Sequence, residues 1–257
     1  MNTTKRMIKT GFVFALAVCA FGSAKAQSSV SNVSKVSSDF KDYVAKKLDD
    51  VTATMRVGFF DEQAGRKMGE GFEMMHKLKG NITMRYKEEN KLRLDSRAPK
   101  AIFIVNGTIQ YASLPSFNIN TKMQLENSPG KRKTLLDVGL IGSGYLDYTL
   151  AEFRGVRPVE GVQCALFKVS YKDKNVDTSH RMIWVDPKTK VTLKREEYSQ
   201  EGKLNGTFYY KNPKEIAPGV WFPSAIEVHN NEGKKAGVTN YSDVKVNQGL
   251  ADTLFKL

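Results

Sequence analysis

The residue types that most often carry catalysis are not spaced as a familiar catalytic motif in this sequence. His76, His180 and His229 lie far apart with no His-x-x-His pairing, so a metal site is not indicated. Gly142-Ser143-Gly144 lacks the glycines two residues either side of the serine that a nucleophile elbow needs. Gly69-Glu70-Gly71 lacks the third glycine of a dinucleotide-binding loop. We therefore expect a protein that is not an enzyme and needs no metal or other cofactor. A hydrolase with residues remote in sequence is the alternative that spacing leaves open.

Methionine is concentrated in one part of the chain. Five of the seven methionines that follow residue 26 lie between residues 55 and 84. Methionine is flexible and polarizable, and it suits surfaces that must fit ligands of varying shape. We expect these methionines and neighbouring apolar residues to line the inner face of the first strands and to bind lipid: Met55, Val57, Phe59, Phe72, Met74, Ile82, Met84, Tyr86 and Leu92. An ordinary, slightly loose core is the alternative interpretation.

Charged residues near this apolar set are expected to play a minor part. Burying a sixteen-carbon acyl chain contributes on the order of 12 kcal/mol, at ~0.8 kcal/mol per CH₂. A surface cation near an anionic headgroup adds only ~1 kcal/mol. We therefore expect Arg56 and Arg85, at strand surfaces, to orient a headgroup and the apolar residues to dominate binding.

The N-terminal segment has the layout of a secretory signal peptide. Lys5, Arg6 and Lys9 precede an apolar run over 11–21, and Ala24-Lys25-Ala26 provides a small-x-small cleavage site. The apolar run is shorter than the ~20 residues needed to cross a bilayer. This pattern predicts a signal peptide over 1–26 and a periplasmic protein that begins at Gln27.

A lipid anchor is the alternative for the same segment. Cys19 lies inside the apolar run and follows Leu16-Ala17-Val18. Val18 stands where lipoprotein signals usually have a smaller residue, which disfavours lipidation at Cys19. Processing there would tether the protein to a membrane, whereas cleavage after Ala26 leaves it free to diffuse.

Composition bounds the remaining chain. The formal net charge of +13 falls to +9 without the four cations of the predicted signal peptide, which favours contact with anionic partners such as phospholipid headgroups. A basic surface that serves only solubility is the alternative, and we prefer it. No long basic block or basic amphipathic helix is present, so nucleic acid is not an expected partner.

Cys164 would be the only cysteine left and has no partner for an intramolecular disulfide. We expect a flexible N-terminus over 27–35 and a single domain over 36–257.

Periodicity predicts a mainly β (α+β) fold. Apolar residues at three- to five-residue steps predict an amphipathic helix over 37–51, and a short apolar helix is expected over 132–141. We expect these helices to form a lid through Phe40, Val44, Leu135, Leu136 and Leu140, and a permanently docked plug at 132–141 is the alternative. Elsewhere apolar and polar residues alternate between turns such as Asn106-Gly107, which predicts about ten or eleven antiparallel strands. That many successive hairpins curl into a barrel or half-barrel.

Several segments of the second half resemble outer-membrane lipoprotein-sorting proteins of the LolA-like superfamily. They are Trp184-Val185-Asp186-Pro187-Lys188-Thr189, Leu193-Lys194-Arg195-Glu196-Glu197-Tyr198, Glu201-Gly202-Lys203-Leu204, Gly219-Val220-Trp221-Phe222-Pro223-Ser224-Ala225-Ile226-Glu227, Tyr241-Ser242-Asp243-Val244-Lys245-Val246-Asn247 and Gly249-Leu250-Ala251-Asp252-Thr253-Leu254-Phe255. The resemblance implies an open β-barrel of about eleven antiparallel strands, with helices covering its concave face.

The same resemblance implies a function. It implies a monomeric periplasmic carrier that shelters the acyl chains of a lipid or lipoprotein in a hydrophobic cavity, in outer-membrane lipoprotein or lipid trafficking. The arginine that holds the lid in the best-known carriers has no counterpart in Tyr86-Lys87-Glu88-Glu89-Asn90. The alternative is an envelope sensor or scaffold that uses the same barrel to bind a protein partner, or a membrane surface.

Overall fold

The protein is built mainly from antiparallel β-strands. The computed structural model describes residues 35–78 and 80–257, so the predicted signal peptide lies outside the described residues. The described part contains fifteen strands: β1 (Asp50–Phe60), β2 (Asn81–Lys87), β3 (Lys91–Arg97), β4 (Lys100–Asn106), β5 (Ile109–Leu114), β6 (Ile119–Gln124), β7 (Thr149–Val159), β8 (Val162–Tyr171), β9 (His180–Val185), β10 (Thr192–Tyr198), β11 (Leu204–Lys211), β12 (Lys214–Ala217), β13 (Val220–Phe222), β14 (Ala225–Asn230) and β15 (Lys235–Val246).

Thirteen of these strands form one open sheet. Their order is β6-β5-β4-β3-β2-β1-β15-β14-β11-β10-β9-β8-β7, and β12 pairs separately with β13. The first and last strands of the chain pair with each other at the centre, for example Met55 with Tyr241. The edge strands β6 and β7 are not paired with each other, so the sheet is not closed. The expected mainly β, open architecture is confirmed, with thirteen strands in the sheet instead of about eleven.

Alternation along the strands separates an apolar inner face from a polar outer face. Across the first strands Ala53 pairs with Met84, and Met84 pairs with Leu94. Side chains opposite each other in an antiparallel pair project to the same side. Ala53 and Met84 are buried at 1% exposure. We call the side that carries these residues the inner face, and the opposite side the outer face.

Residues 36–48 and two longer parts of the chain cover the inner face. Residues 61–78, which we call the helical cover, contain α1 (Glu62–Arg66) and α2 (Glu70–Lys77). Residues 125–148, the docked segment, connect β6 to β7 and contain three short 3₁₀ helices: Pro129–Lys131, Leu135–Val138 and Ser143–Asp147. Within residues 35–78 and 80–257, no helix has the length and apolar character to span a bilayer.

The predicted helix over 37–51 is wrong. A single 3₁₀ turn, Phe40–Tyr43, forms there, and Asp39 caps it by accepting the N–H of Lys41 at 2.9 Å. The chain then extends, because Ala45 donates its N–H to the carbonyl of Ile141 at 2.9 Å. Pairing with the docked segment satisfies the backbone that a longer helix would have satisfied internally.

The expected helix over 132–141 is shorter than predicted. Only Leu135–Val138 is helical, within a capping box formed by Thr134 and Asp137. Gly139 ends the turn with a φ of 89°, a left-handed conformation that glycine adopts without strain.

The alternation at Phe72 and Met74 does not mark a strand. Both residues lie on α2. Phe72 and His76 are one helical turn apart, with ring centroids at 4.0 Å. Three residues of alternation fit a helix as well as a strand, so the expectation that both residues lie on a strand was wrong.

The sequence did not predict β6 and β7, and both strands are mostly exposed. Every residue of β6 after Ile119 is exposed, and most of β7 is exposed, as expected at the two edges of the sheet. Without a buried side these strands show no apolar alternation. The neighbouring strands β13 and β14 are separate, since Pro223 lies between them.

The C-terminal residues lie against the outer face of the first strands. Arg93 Nη1 donates to the carbonyl of Leu254 at 3.0 Å, and Phe255 is fully buried. Asp50, at the start of β1, anchors this tail. The residue is 2% exposed, and its carboxylate accepts three backbone N–H groups. The donors are Gln248 at 2.8 Å, Gly249 at 2.7 Å and Leu250 at 3.0 Å. One buried carboxylate thus fixes the end of the chain to the start of β1.

We predict that Asp50→Ala lowers the free energy of unfolding by about 2–4 kcal/mol, because three buried N–H groups lose a charged acceptor. Asp50→Asn keeps one acceptor oxygen and should lose about half as much. Urea denaturation followed by circular dichroism measures both. Asp49→Ala is the control, since Asp49 is exposed. Equal losses for Asp49→Ala and Asp50→Ala would show that the carboxylate does not fix the tail.

Candidate functional site

A strip of partly buried apolar side chains runs across the inner face, and it includes Met55, Leu94, Phe103 and Phe208. In the strand register, Leu94 lies opposite Phe103, and Phe103 lies opposite Ala112. The inner face is therefore the candidate site.

Most of the predicted lining residues lie on this face. Ile82, Met84 and Tyr86 are 2%, 1% and 3% exposed, whereas Met55, Val57 and Leu92 are partly buried. The register brings them together, with Met55 opposite Ile82 and Tyr86 opposite Leu92.

The other three predicted lining residues are placed differently. Phe72 and Met74 reach the inner face from α2, where Met74 packs against the cluster of Leu78, Ile82 and Ala101. Phe59 is 44% exposed and follows an irregularity in the pairing of β1 with β15. Phe59 is therefore not brought together with the others.

The predicted lid residues are tightly packed. Phe40, Val44, Leu135, Leu136 and Leu140 have exposures between 1% and 8%. Phe40 contacts the ring of Phe167 on β8 with centroids 5.1 Å apart. These side chains belong to the core clusters that hold the docked segment and residues 36–48 against the second half of the sheet.

The predicted headgroup residues lie away from the apolar side chains. Arg85 alternates with the inward Met84 and Tyr86, so it projects from the outer face. Its Nη1 is 2.7 Å from Asp95 Oδ2. Arg56 is exposed on the same outer face.

Two buried arginines that the sequence analysis missed fasten the docked segment to the inner face. Arg195 on β10 is 1% exposed and donates to the carbonyl of Leu136 at 3.4 Å. Arg181 on β9 is 6% exposed and donates to the carbonyl of Gly130 and the hydroxyl of Tyr145, each at 3.0 Å. The hydroxyl of Tyr210 also donates to the carbonyl of Leu136, at 2.8 Å.

Two carboxylates neutralise these arginines. Glu197 Oε1 lies 3.3 Å from Arg181 Nε and 3.5 Å from Arg195 Nη2, and Asp137 Oδ1 lies 3.5 Å from Arg195 Nη1. Burial alone would raise the pKa of Asp137, but Lys133, Arg195 and Arg181 together lower it to about 2. The pKa of Glu197 is likewise lowered, since the two arginines outweigh the effect of burial. Both acids are therefore charged at neutral pH, as a buried arginine pair requires.

A sequence signal for this network exists. Arg195 and Glu197 continue the alternation of the buried Leu193, and Arg181 shares the alternation of Ile183 and Val185. Charged residues at inward strand positions indicate a buried ion pair or a functional site.

The helical cover is held by weaker contacts. None of the described side chains of α2 is buried, and Gly69 before it has a φ of 102° and supplies no side-chain cap. The cover approaches the sheet where glycines leave space. A Cβ added at Gly237 would lie 2.6 Å from His76 Nε2, and one at Gly206 would lie 2.5 Å from Met68 Cε.

Little on this face suits covalent chemistry. Cys164 is buried, and burial followed by the charge of Asp186 raises its pKa to about 12, so it remains a thiol. Burial lowers the pKa of His76, so its ring is neutral. Among the residues that the structure describes, no group of three His, Cys, Asp or Glu side chains is placed to hold a metal ion. The arrangement is suited to holding an apolar ligand.

We predict that Gly237→Ala displaces α2, because its methyl group would collide with the ring of His76. The variant should lose about 1–3 kcal/mol of stability, the usual range for overpacking. Amide hydrogen exchange should rise in 62–77 and stay unchanged in 135–141. Gly144→Ala is the control, since its methyl group would make only an ordinary contact, 3.8 Å from Glu89 Cβ, and should leave exchange in both segments unchanged. Uniform exchange changes across both covers would contradict the prediction.

We predict that stability falls with pH between about 4 and about 2 partly through Asp137. Its folded-state pKa of about 2 is below its ordinary value of 3.8, so the unfolded chain binds protons first as the pH falls. The contribution is complete above about pH 4 and is lost towards pH 2, by up to about 2 kcal/mol. Asp137→Asn should flatten this part of the curve in urea unfolding at each pH. An unchanged slope would show that Asp137 is not ion-paired.

The comparisons with known proteins agree with this geometry. A family described as uncharacterized protein matches residues 137–257. The sequence has no match among curated proteins. A domain described as an outer membrane lipoprotein-sorting protein from Vibrio parahaemolyticus superposes with a TM-score of 0.59 and 17% identity, covering 84% of this chain and 92% of that one.

Two further solved structures are similar. A DUF1329 family protein from Desulfovibrio piger has a TM-score of 0.56 and 14% identity, covering 81% of this chain and 90% of that one. A LolA superfamily protein from Nitrosomonas europaea has a TM-score of 0.53 and 16% identity, covering 82% and 90%. At these identities the likeness concerns the fold, and together with the open sheet and its covers it shows that this chain has a LolA-like fold.

Proposed function

We propose that this protein binds the acyl chains of a lipid or lipoprotein on its inner face and carries them in outer-membrane lipoprotein or lipid trafficking. The observation that carries the proposal is the strip of partly buried apolar side chains on the inner face, beside the helical cover. Similarity in fold to a LolA superfamily protein and to a lipoprotein-sorting domain supports it.

The chemistry of the strip suits hydrocarbon. Met55, Leu94 and Phe103 offer no charge, and Met74 and Met75 face the same cluster from α2. Each acyl CH₂ buried there contributes ~0.8 kcal/mol. Methionine adapts to chains of different length because its three side-chain torsions rotate at low cost. Broad selectivity for acyl chains follows from such a lining.

Ligand enters beneath the helical cover. Lifting α2 would expose the partly buried side chains 72–76, whereas lifting the docked segment would separate the buried Arg195 from Asp137 and Glu197. Breaking a buried pair costs about 3–5 kcal/mol. The helical cover is therefore the part that moves, and the docked segment stays in place.

The protein acts outside the cytoplasm. The predicted signal peptide over 1–26 would deliver it to the periplasm, where a carrier of acyl chains meets two membranes. No catalytic group takes part in this function, because transfer of an acyl chain between membranes breaks no covalent bond.

We predict that Met74→Glu lowers the affinity for a fluorescent fatty acid by at least ~10-fold. An unpaired carboxylate beside a buried acyl chain costs more than the ~1.4 kcal/mol that corresponds to that factor. Probe fluorescence in a titration gives the affinity, and circular dichroism checks that the variant is folded.

Met182→Glu is the matched control. Met182 is also partly buried, but it lies on the outer face opposite Lys168, so its substitution should leave probe binding unchanged. Equal binding by wild type and Met74→Glu would contradict the proposed site. Failure of the wild type to bind the probe, combined with recovery of lipid-free protein from the periplasm, would contradict the proposed function and favour a scaffold that binds a protein partner.

A further inference from the structure

The outer face of the first six strands carries a large excess of cations. Strands β1–β6 contain eight Lys or Arg residues and two Asp residues, eight minus two, so their net side-chain charge is +6. In the strand register all eight cations alternate with inward residues such as Met84 and Leu94, and they therefore project from the outer face. We call this surface the basic face, and its cations are Arg56, Arg85, Lys87, Lys91, Arg93, Arg97, Lys100 and Lys122.

Like charges lie directly opposite each other on the basic face. Three cross-strand pairs of the register join two cations: Arg85 with Arg93, Lys87 with Lys91, and Arg97 with Lys100. Like charges at such positions weaken the pairing of the strands. A surface that served only solubility could spread its charges and avoid these contacts. The clustering of cations on one face therefore indicates a partner that is itself negatively charged.

The acids of these strands do not balance the cations. Asp95 lies 2.7 Å from Arg85 Nη1 and 2.8 Å from Arg93 Nη2, so one carboxylate serves two guanidinium groups. Asp50 is the second acid. It lies opposite Lys87 in the register, and its buried carboxylate accepts the three N–H groups of the tail. Both acids are included in the net charge of +6.

Acids outside the strands leave this excess in place. In the C-terminal tail, Asp252 lies 3.0 Å from Lys87 and 2.9 Å from Lys91, but Lys256 offsets its charge. Glu88 and Glu89, in the turn between β2 and β3, lie beside Gly142 and Gly144 of the docked segment, on the inner side of the sheet. Among the residues that the structure describes, four exposed cations of the basic face form no ion pair: Arg56, Arg97, Lys100 and Lys122.

The spread of these cations indicates the shape of the partner. Arg56 on β1 and Lys122 on β6 are five strand spacings apart, about 24 Å at ~4.8 Å per spacing. A single small anion would contact only one or two of the cations, whereas an extended anionic surface contacts many at once. Tyr111 lies between Ile104 and Lys122 in the register and is partly buried. Tyrosine is a residue type that favours the boundary between membrane and water.

We propose that the basic face docks on an anionic phospholipid membrane. Each cation near such a surface strengthens binding by about fivefold, and the attraction extends over a Debye length of only ~8 Å at physiological salt. Docking of this kind is reversible and sensitive to salt. The inner face lies on the other side of the sheet, so membrane docking goes beyond the proposed binding of acyl chains and does not depend on it.

The test is sedimentation of the chain that begins at Gln27 with phosphatidylcholine vesicles, with and without phosphatidylglycerol. The wild type should bind the vesicles that contain phosphatidylglycerol, and its binding should fall as salt is raised. Combining Arg97→Gln, Lys100→Gln and Lys122→Gln should weaken this binding at least ~10-fold. The triple variant should not unfold at lower urea than the wild type, because it removes the like-charge pair of Arg97 with Lys100.

The matched control combines Arg157→Gln, Lys188→Gln and Lys214→Gln. These residues are exposed in the second half of the chain, and the control variant has the same net charge as the first triple variant. It should keep most of the vesicle binding. Equal losses in the two variants would overturn the proposal, because net charge alone would then explain the binding.

Three other outcomes would also overturn the proposal: no binding to phosphatidylglycerol vesicles, equal binding to vesicles without it, and binding to soluble polyphosphate in place of vesicles. A titration with the fluorescent fatty acid separates this proposal from the proposed function. The variant at Arg97, Lys100 and Lys122 should bind that probe as the wild type does. Loss of vesicle binding with normal probe binding would therefore concern only the basic face.

Discussion

An antiparallel sheet that curls without closing leaves an apolar inner face that must be covered by the rest of the chain. Here thirteen strands create that face, and β6 and β7 remain as free edges. Exposed apolar surface costs roughly 25 cal/mol per Å², so a face of this width cannot remain in water. The covers are therefore a requirement of the sheet, and the two covers differ in construction.

The two covers solve this requirement with different interactions. The docked segment combines full burial of Leu135 and Leu136 with an ion-pair network around Arg181 and Arg195. Such a network adds little net stability after desolvation, but its geometry permits only one position of the segment. The helical cover relies on side chains such as Met74 that tolerate many positions. This contrast supports the proposal that the docked segment stays in place and the helical cover adjusts to a ligand.

The strands of the sheet were easier to predict from the sequence than the segments that cover it. Alternation located β2 and most of the central strands, since those strands have one buried and one wet side. The covers lack a regular period, because their backbone is satisfied by contacts distant in sequence such as Ala45 with Ile141. The apolar lining at Met84 was predictable for the same reason as the strands. Arg195 was not recognised as a buried residue, because a charged side chain on a strand is usually exposed to solvent. Its inward direction follows only from the strand register.

Chain topology supports the proposal that the helical cover is the part that moves. The docked segment joins the two free edges, β6 and β7, so it must cross the opening of the curled sheet, and its displacement would affect both edges. The helical cover joins β1 to β2, which are already paired from Asp50 with Lys87 to Arg56 with Asn81. An excursion between two adjacent paired strands can lift without changing any strand contact. Under the proposed function, ligand entry at that place would leave the pairing of β1 with β2 unchanged.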